Sequence, residues 1–145
     1  MEPIPAVSSP DDDKVERYDL GLCLSGGGYR AMLFHAGVLC RLNEAGLLQK
    51  IDMVSSVSGG SIAAGLLAVL WPRFSFANGV AGNFDIYLDR ILEFSQVFLD
   101  APSILEGLFD PLSSAACEVA ACYERNLFDG SRPMLKGLPE KPWFV

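Results

Sequence analysis

Two short turns of small residues restrict this chain more than any other feature. Ser25-Gly26-Gly27-Gly28-Tyr29-Arg30 follows the run Tyr18 to Leu24, and Ser56-Val57-Ser58-Gly59-Gly60 closes the run Met53 to Val57. Leu20, Leu22 and Leu24 recur at period two with Cys23 also apolar, which predicts a largely buried strand. Met53 to Val57 is small and β-branched and predicts a second strand. Between them, Leu33, Ala36, Gly37 and Cys40 recur at three-to-four spacing from Ala31 to about Ala45. Arg41, Asn43 and Glu44 fall on the wetter side, so this stretch predicts a helix. Gly46 stands where a left-handed helix stop needs a glycine. After the second turn, about Gly59 to Leu70 is apolar nearly all round, stops before Pro72 and is expected to be buried.

Strand, helix, strand in that order is a βαβ unit. Its crossover is almost always right-handed and returns the second strand parallel to the first, so both strand C-termini lie on one rim. Open α/β sheets bind ligands on that rim. The triple glycine and Ser58 are therefore expected to be neighbours, provided the two strands are close. Past Pro72, Arg73 to Gly82 reads as a loop, and Asn83 to about Val97 as an amphipathic helix with Phe84, Leu88, Ile91 and Leu92 on one side. Asp110-Pro111 is an N-cap and N1 pair for a helix to about Glu124. Leu135 to Pro142 is turn-like, and Trp143-Phe144-Val145 begins an apolar run. The expectation is a solvated lead-in over residues 1–17, and over 18–145 the front part of a longer domain.

At 145 residues the chain suits one domain with a core. A net charge of −7 leaves no basic patch for nucleic acid. It also disfavours docking on anionic lipid, so any peripheral membrane contact is expected to be apolar. The apolar run Ile62 to Trp71 is too short to span a bilayer, and no secretory signal precedes the first strand. The four cysteines (Cys23, Cys40, Cys117, Cys122) lack CxxC spacing and there is one histidine, so no metal site and no cofactor are expected. Reduced thiols in a cytoplasmic protein are expected from that cysteine usage, ahead of a disulfide pair.

A serine hydroxyl attacks only when a base takes its proton and donors stabilise the oxyanion that results. Ser58 lies in a small-x-Ser-x-Gly turn, where Ser56 and Gly60 let the strand bend sharply into the helix and Gly59 follows the serine. The helix N-terminus then faces the hydroxyl. Gly26, Gly27 and Gly28 leave backbone N–H groups unshielded, as an oxyanion hole requires. Each feature also has a plainer reading: Ser58 as a strand-end serine, the glycines as a tight turn, Arg30 as a surface cation in place of an anion binder. His35 reads as a helix-packed histidine more than as a base, and Ser61 as a capping or packing residue. Two rivals remain. Gly26-x-Gly28-x-x-Ala31 resembles a dinucleotide fingerprint, but Ser55, Ser56 and Val57 stand where an acidic residue belongs. The other rival is a non-catalytic scaffold of the same shape.

Ser-Gly-Gly-Gly-Tyr-Arg at 25–30, His35-Ala36-Gly37-Val38-Leu39, and Ser56-Val57-Ser58-Gly59-Gly60-Ser61 together resemble the patatin-like phospholipase family. The likeness is strong from Tyr18 to Leu70 and continues weakly through Asn126-Leu127-Phe128-Asp129-Gly130 and Leu138-Pro139. It implies a three-layer α/β/α fold with a mainly parallel sheet, and hydrolysis of lipid acyl esters by a Ser–Asp dyad. By position, Ser58 is the nucleophile, with Gly26, Gly27 and Gly28 as the oxyanion hole and Arg30 beside it. Ser56 replaces the usual first glycine of the elbow, and Ala31 a glycine that often follows the arginine. Asp129-Gly130 is the only Asp-Gly pair, but it resembles the loop before the catalytic strand, so the family's aspartate is expected beyond Val145.

Overall fold

The computed structural model describes residues 19–99 and 115–145. The lead-in expected over 1–17 and the Asp110-Pro111 cap lie outside them. In chain order the elements are β1 (Gly21–Leu24), α1 (Gly28–Glu44), β2 (Met53–Ser56), α2 (Gly59–Leu70), a hairpin of β3 (Phe76–Ala77) and β4 (Val80–Ala81), α3 (Asp85–Leu99), α4 (Ala115–Asn126) and β5 (Trp143–Phe144). β1, β2 and β5 form one parallel sheet with β2 in the centre, in the register Leu22 to Val54 to Phe144. The chain is an α/β protein, as its alternating pattern predicts.

Period two decides what each strand buries. Leu22, Leu24, Val54 and Phe144 share the face that joins the core with Met32, Leu39, Leu67 and Ile91 from the helices. Cys23 and Trp143 lie on the opposite face and are exposed. The expectation that β1 is largely buried is therefore corrected. Only Leu24 is fully covered, because Cys23 lies on the exposed face of the sheet and Leu22 is only half-buried.

α1 ends as its sequence predicts. Gly46 takes a φ of 66°, its N–H bonds to the Asn43 carbonyl at 2.9 Å, and the Leu47 N–H reaches back to Leu42 at 2.9 Å. That is the double hydrogen bond of a Schellman stop, which needs a left-handed residue at this position. α2 is buried along most of its length, from Gly59 and Gly60 to Leu70, in keeping with its all-round apolarity.

Residues 73–82 are not a plain loop. Asn78 and Gly79 have φ values of 54° and 84°, so they make the primed two-residue turn of a β-hairpin. The signal is the Asn-Gly pair itself, which the loop reading passed over. Buried Asn43 of α1 fastens the hairpin: its amide accepts the Ala81 N–H at 2.7 Å and donates to the Ala81 carbonyl at 3.0 Å. In α3, Phe84 (just before its first turn) and Ile91 are buried as expected, but Leu92 is exposed. Tyr87 and Phe94 complete the inward face in its place. The Tyr87 hydroxyl donates to the Ala63 carbonyl at 3.1 Å, and burial pushes that phenol above its ordinary pKa.

At the far end of the sheet from the two turns, the Asp52 carboxylate accepts the N–H groups of Leu20 at 3.2 Å and Asp19 at 2.9 Å and faces Lys141 at 3.5 Å. Those amides, Leu20 first, hold its pKa below the usual carboxylate range. No helix among the described residues is long and apolar enough to cross a membrane.

Candidate active site

The parallel sheet brings both turns to one rim, as the topology requires. The Val57 N–H bonds to the Leu24 carbonyl at 3.0 Å, and the Gly59 N–H to the Gly26 carbonyl at 2.9 Å. Ser58, between them, is thus held directly against the glycine loop. Its φ of 57° and ψ of −127° lie in a region that L-residues seldom occupy. Such a conformation costs about 1–3 kcal/mol and persists only where the surroundings enforce it.

The enforcement is visible in the glycines. A Cβ on Gly59 would sit 2.2 Å from the Gly28 carbonyl oxygen, and one on Gly60 would sit 2.3 Å from that of Leu24. Both positions must lack a side chain for the elbow to press this closely on the loop. Ser58 occupies the N-cap position of α2, yet its hydroxyl makes no capping bond and the residue is exposed. The hydroxyl is therefore left for other use at the positive end of the α2 dipole. Ser61, exposed on the first turn of α2, returns its N–H to the Ser58 carbonyl at 2.9 Å. Ser56 is the half-buried last residue of β2 and gives its N–H to the Val145 carbonyl at 3.0 Å.

The glycine loop is exposed from Ser25 to Gly28. Gly26 and Gly28 have φ values of 119° and 68°, whereas Gly27 has an ordinary φ of −91° and open space where a Cβ would stand. α1 starts at Gly28, three residues earlier than its periodicity predicts, so Arg30 lies in its first turn. Arg30 is exposed and has no ion-pair partner among the described residues. Buried His35, one further turn along α1, reaches the Ser25 carbonyl with Nε2 at 2.6 Å. Since a carbonyl only accepts, Nε2 carries the proton. Nothing in the residue pattern signals this bond beyond one histidine placed shortly after the loop.

Asp129 is elsewhere. Its exposed carboxylate pairs with Arg90 of α3 at 3.3 Å. It borders a cleft of about 480 Å³ with Leu66, Val69, Leu70 and Arg73, which belong to the C-terminal half of α2 and the turn beyond it. Ser58 precedes the first residue of that helix, whereas Leu66, the first α2 residue on this cleft, stands eight residues further on, about 12 Å along the helix axis. A second, apolar groove of about 340 Å³ starts at Ser56 and Ser61 and follows Ala64, Gly65 and Ala68 along α2. Met134, Leu135, Leu138 and Phe144 wall its other side.

The patatin-like phospholipase family model matches residues 22–130, which include both turns. A Saccharomyces cerevisiae protein, SPO1, named as a meiotic phospholipase, is 43% identical over 42 residues, covering 29% of this chain and 7% of that protein. Lysophospholipase 1 of Candida albicans is 43% identical over 58 residues, covering 34% of this chain and 10% of its own. The chain thus spans a tenth or less of these curated relatives in the matched stretches. No solved structure matches significantly. Since the family model takes in well over half of the residues, the chain belongs to the patatin-like phospholipase family.

Proposed function

We propose that the protein hydrolyses lipid acyl esters with Ser58 as its nucleophile. The observation that carries this reading is the strained, exposed, uncapped Ser58, pressed against the glycine loop by two glycines that admit no side chain. A merely structural serine has no need of such a conformation. The substrate's carbonyl sits above Ser58 with its oxygen toward the amides of Gly26, Gly27 and Gly28, and Arg30 adds positive charge beside them. The Ser58 hydroxyl oxygen bonds to the carbonyl carbon while its proton passes to an aspartate. The tetrahedral oxyanion collapses and expels the alcohol half of the lipid, which takes up a proton, leaving an acyl-serine. Water then attacks the acyl-serine, releases the fatty acid and restores the hydroxyl. The acyl chain lies in the apolar groove that starts at Ser56 and Ser61.

Asp129 is not the partner in this scheme, since it is engaged with Arg90 at the other end of α2. The test is covalent labelling of the full-length protein by a fluorophosphonate probe. Labelling is expected, and is expected to vanish in Ser58→Ala. A protein that takes no probe, or a Ser58→Ala variant that still takes it, removes this reading in favour of a non-catalytic scaffold.

A further inference from the structure

We propose that His35 is a positioning residue, whose Nε2–H latches the Ser25–Gly26 peptide and so fixes the aim of the glycine-loop amides. The latch itself stands on geometry alone, and its catalytic consequence rests on the hydrolase reading above. Three successive carbonyls leave the end of β1, and each has a different holder. Leu24 is held by the Val57 N–H, Ser25 by the His35 ring and Gly26 by the Gly59 N–H. The two outer bonds tie the loop to the elbow, and the middle one ties it to α1.

That middle peptide is the one most able to turn over. Gly26 has no side chain to resist rotation, and its φ of 119° shows how far from ordinary geometry this link lies. A planar trans peptide points its carbonyl and its following N–H in opposite directions. Holding the Ser25 oxygen on the α1 side therefore holds the Gly26 N–H on the other side. The ring is well placed for the task, being buried and packed edge-on against Phe34 at 5.5 Å. A donor already immobilised in this way loses little further freedom on making the bond. A packing role would need only the shape of the ring, whereas a latch needs its proton.

The experiment compares His35→Leu, which fills much of the space without a donor, with His35→Gln, whose side-chain amide can still donate. Hydrolysis of a p-nitrophenyl acyl ester is measured with the full-length protein, beside thermal denaturation. His35→Leu is expected to lower kcat about 30- to 100-fold while KM moves less than about threefold, the scale of a misaimed oxyanion donor. His35→Gln is expected to restore kcat to within about fivefold of the parent, on the same reasoning. A Leu variant with the parent's kcat, or a Gln variant as poor as Leu at equal Tm, overturns the proposal. Should the Leu variant not fold, the nitrogen-15 spectrum of the parent decides. A slowly exchanging proton on His35 Nε2 upholds the latch, and a proton on Nδ1 alone ends it. A parent that takes no fluorophosphonate overturns the hydrolase reading instead, and the ring-proton spectrum still decides the latch.

Discussion

Replacing Gly59 by alanine tests how closely the two turns must press together. The new Cβ would lie 2.2 Å from the Gly28 oxygen and 3.1 Å from that of Gly26, both backbone atoms with nowhere to rotate. Relief to a contact of about 3.0 Å requires the elbow and the loop to separate by about 0.8 Å, since close-packed interiors offer no slack. Overpacking of this kind costs about 1–3 kcal/mol. The Gly59 to Gly26 hydrogen bond, 2.9 Å long, is strained in the same movement, which adds about 1 kcal/mol. Together these lower the Tm by roughly 5–10 °C for a chain of this size. Chemistry is expected to suffer as well, because a displacement near 1 Å between the proposed nucleophile and oxyanion donors costs about 100-fold in rate. The assay is the rate of fluorophosphonate labelling below the Tm of both proteins. Gly27→Val is the contrast: its φ of −91° suits valine and nothing stands within 4 Å of the new Cβ, so the fold survives while the side chain obstructs the loop and turnover is lost. A Gly59→Ala protein with the parent's Tm and labelling rate would refute the close-approach reasoning.

Two further outcomes are expected. Ser58→Gly relieves the positive φ, and after allowing for the greater chain entropy of glycine it raises stability by about 1 kcal/mol while ending the reaction; thermal denaturation checks this, and a Tm below that of Ser58→Ala counts against strain at the elbow. Asp52→Asn removes a carboxylate whose folded pKa lies below its unfolded one, held down by the Leu20 and Asp19 amides. Its contribution is present above the unfolded value of about 3.9 and fades as pH falls through the folded one. The variant is therefore less stable than the parent at pH 7, and the gap narrows below about pH 4 in denaturant melts; a gap that does not change with pH refutes the assignment.

Much of the site was legible because its parts are local. The βαβ pattern needs only periodicity, and Gly46 and Ser58 each announce themselves within a few residues. The topology then forces the two turns together, as the bonds from Val57 to Leu24 and from Gly59 to Gly26 bear out. What was not legible depends on contacts made across the chain. Cys23 looked as buried as its neighbours because one strand's apolarity does not say how many faces are covered. Leu92 fitted the helical stripe, but Tyr87 and Phe94 take the inward positions once α3 meets its neighbours. The hairpin carries a strong local turn signal in Asn78-Gly79, but the two-residue strands beside it carry almost no periodicity. The bond from His35 to Ser25 spans ten residues between a helix and a loop, and no spacing rule reports it.

Asp52 also bears on the order in which the sheet assembles. Its carboxylate meets the Asp19 amide 33 residues before it and the Lys141 ammonium 89 residues after it. Loop-closure entropy grows with the logarithm of separation, so the second contact costs roughly 0.9 kcal/mol more to close than the first. The pairing of β1 with β2, and with it the elbow, is thus the cheaper closure, and the docking of β5 is expected to follow it. Tryptophan emission from Trp143 should accordingly report a later step in refolding than formation of the rim that carries the two turns.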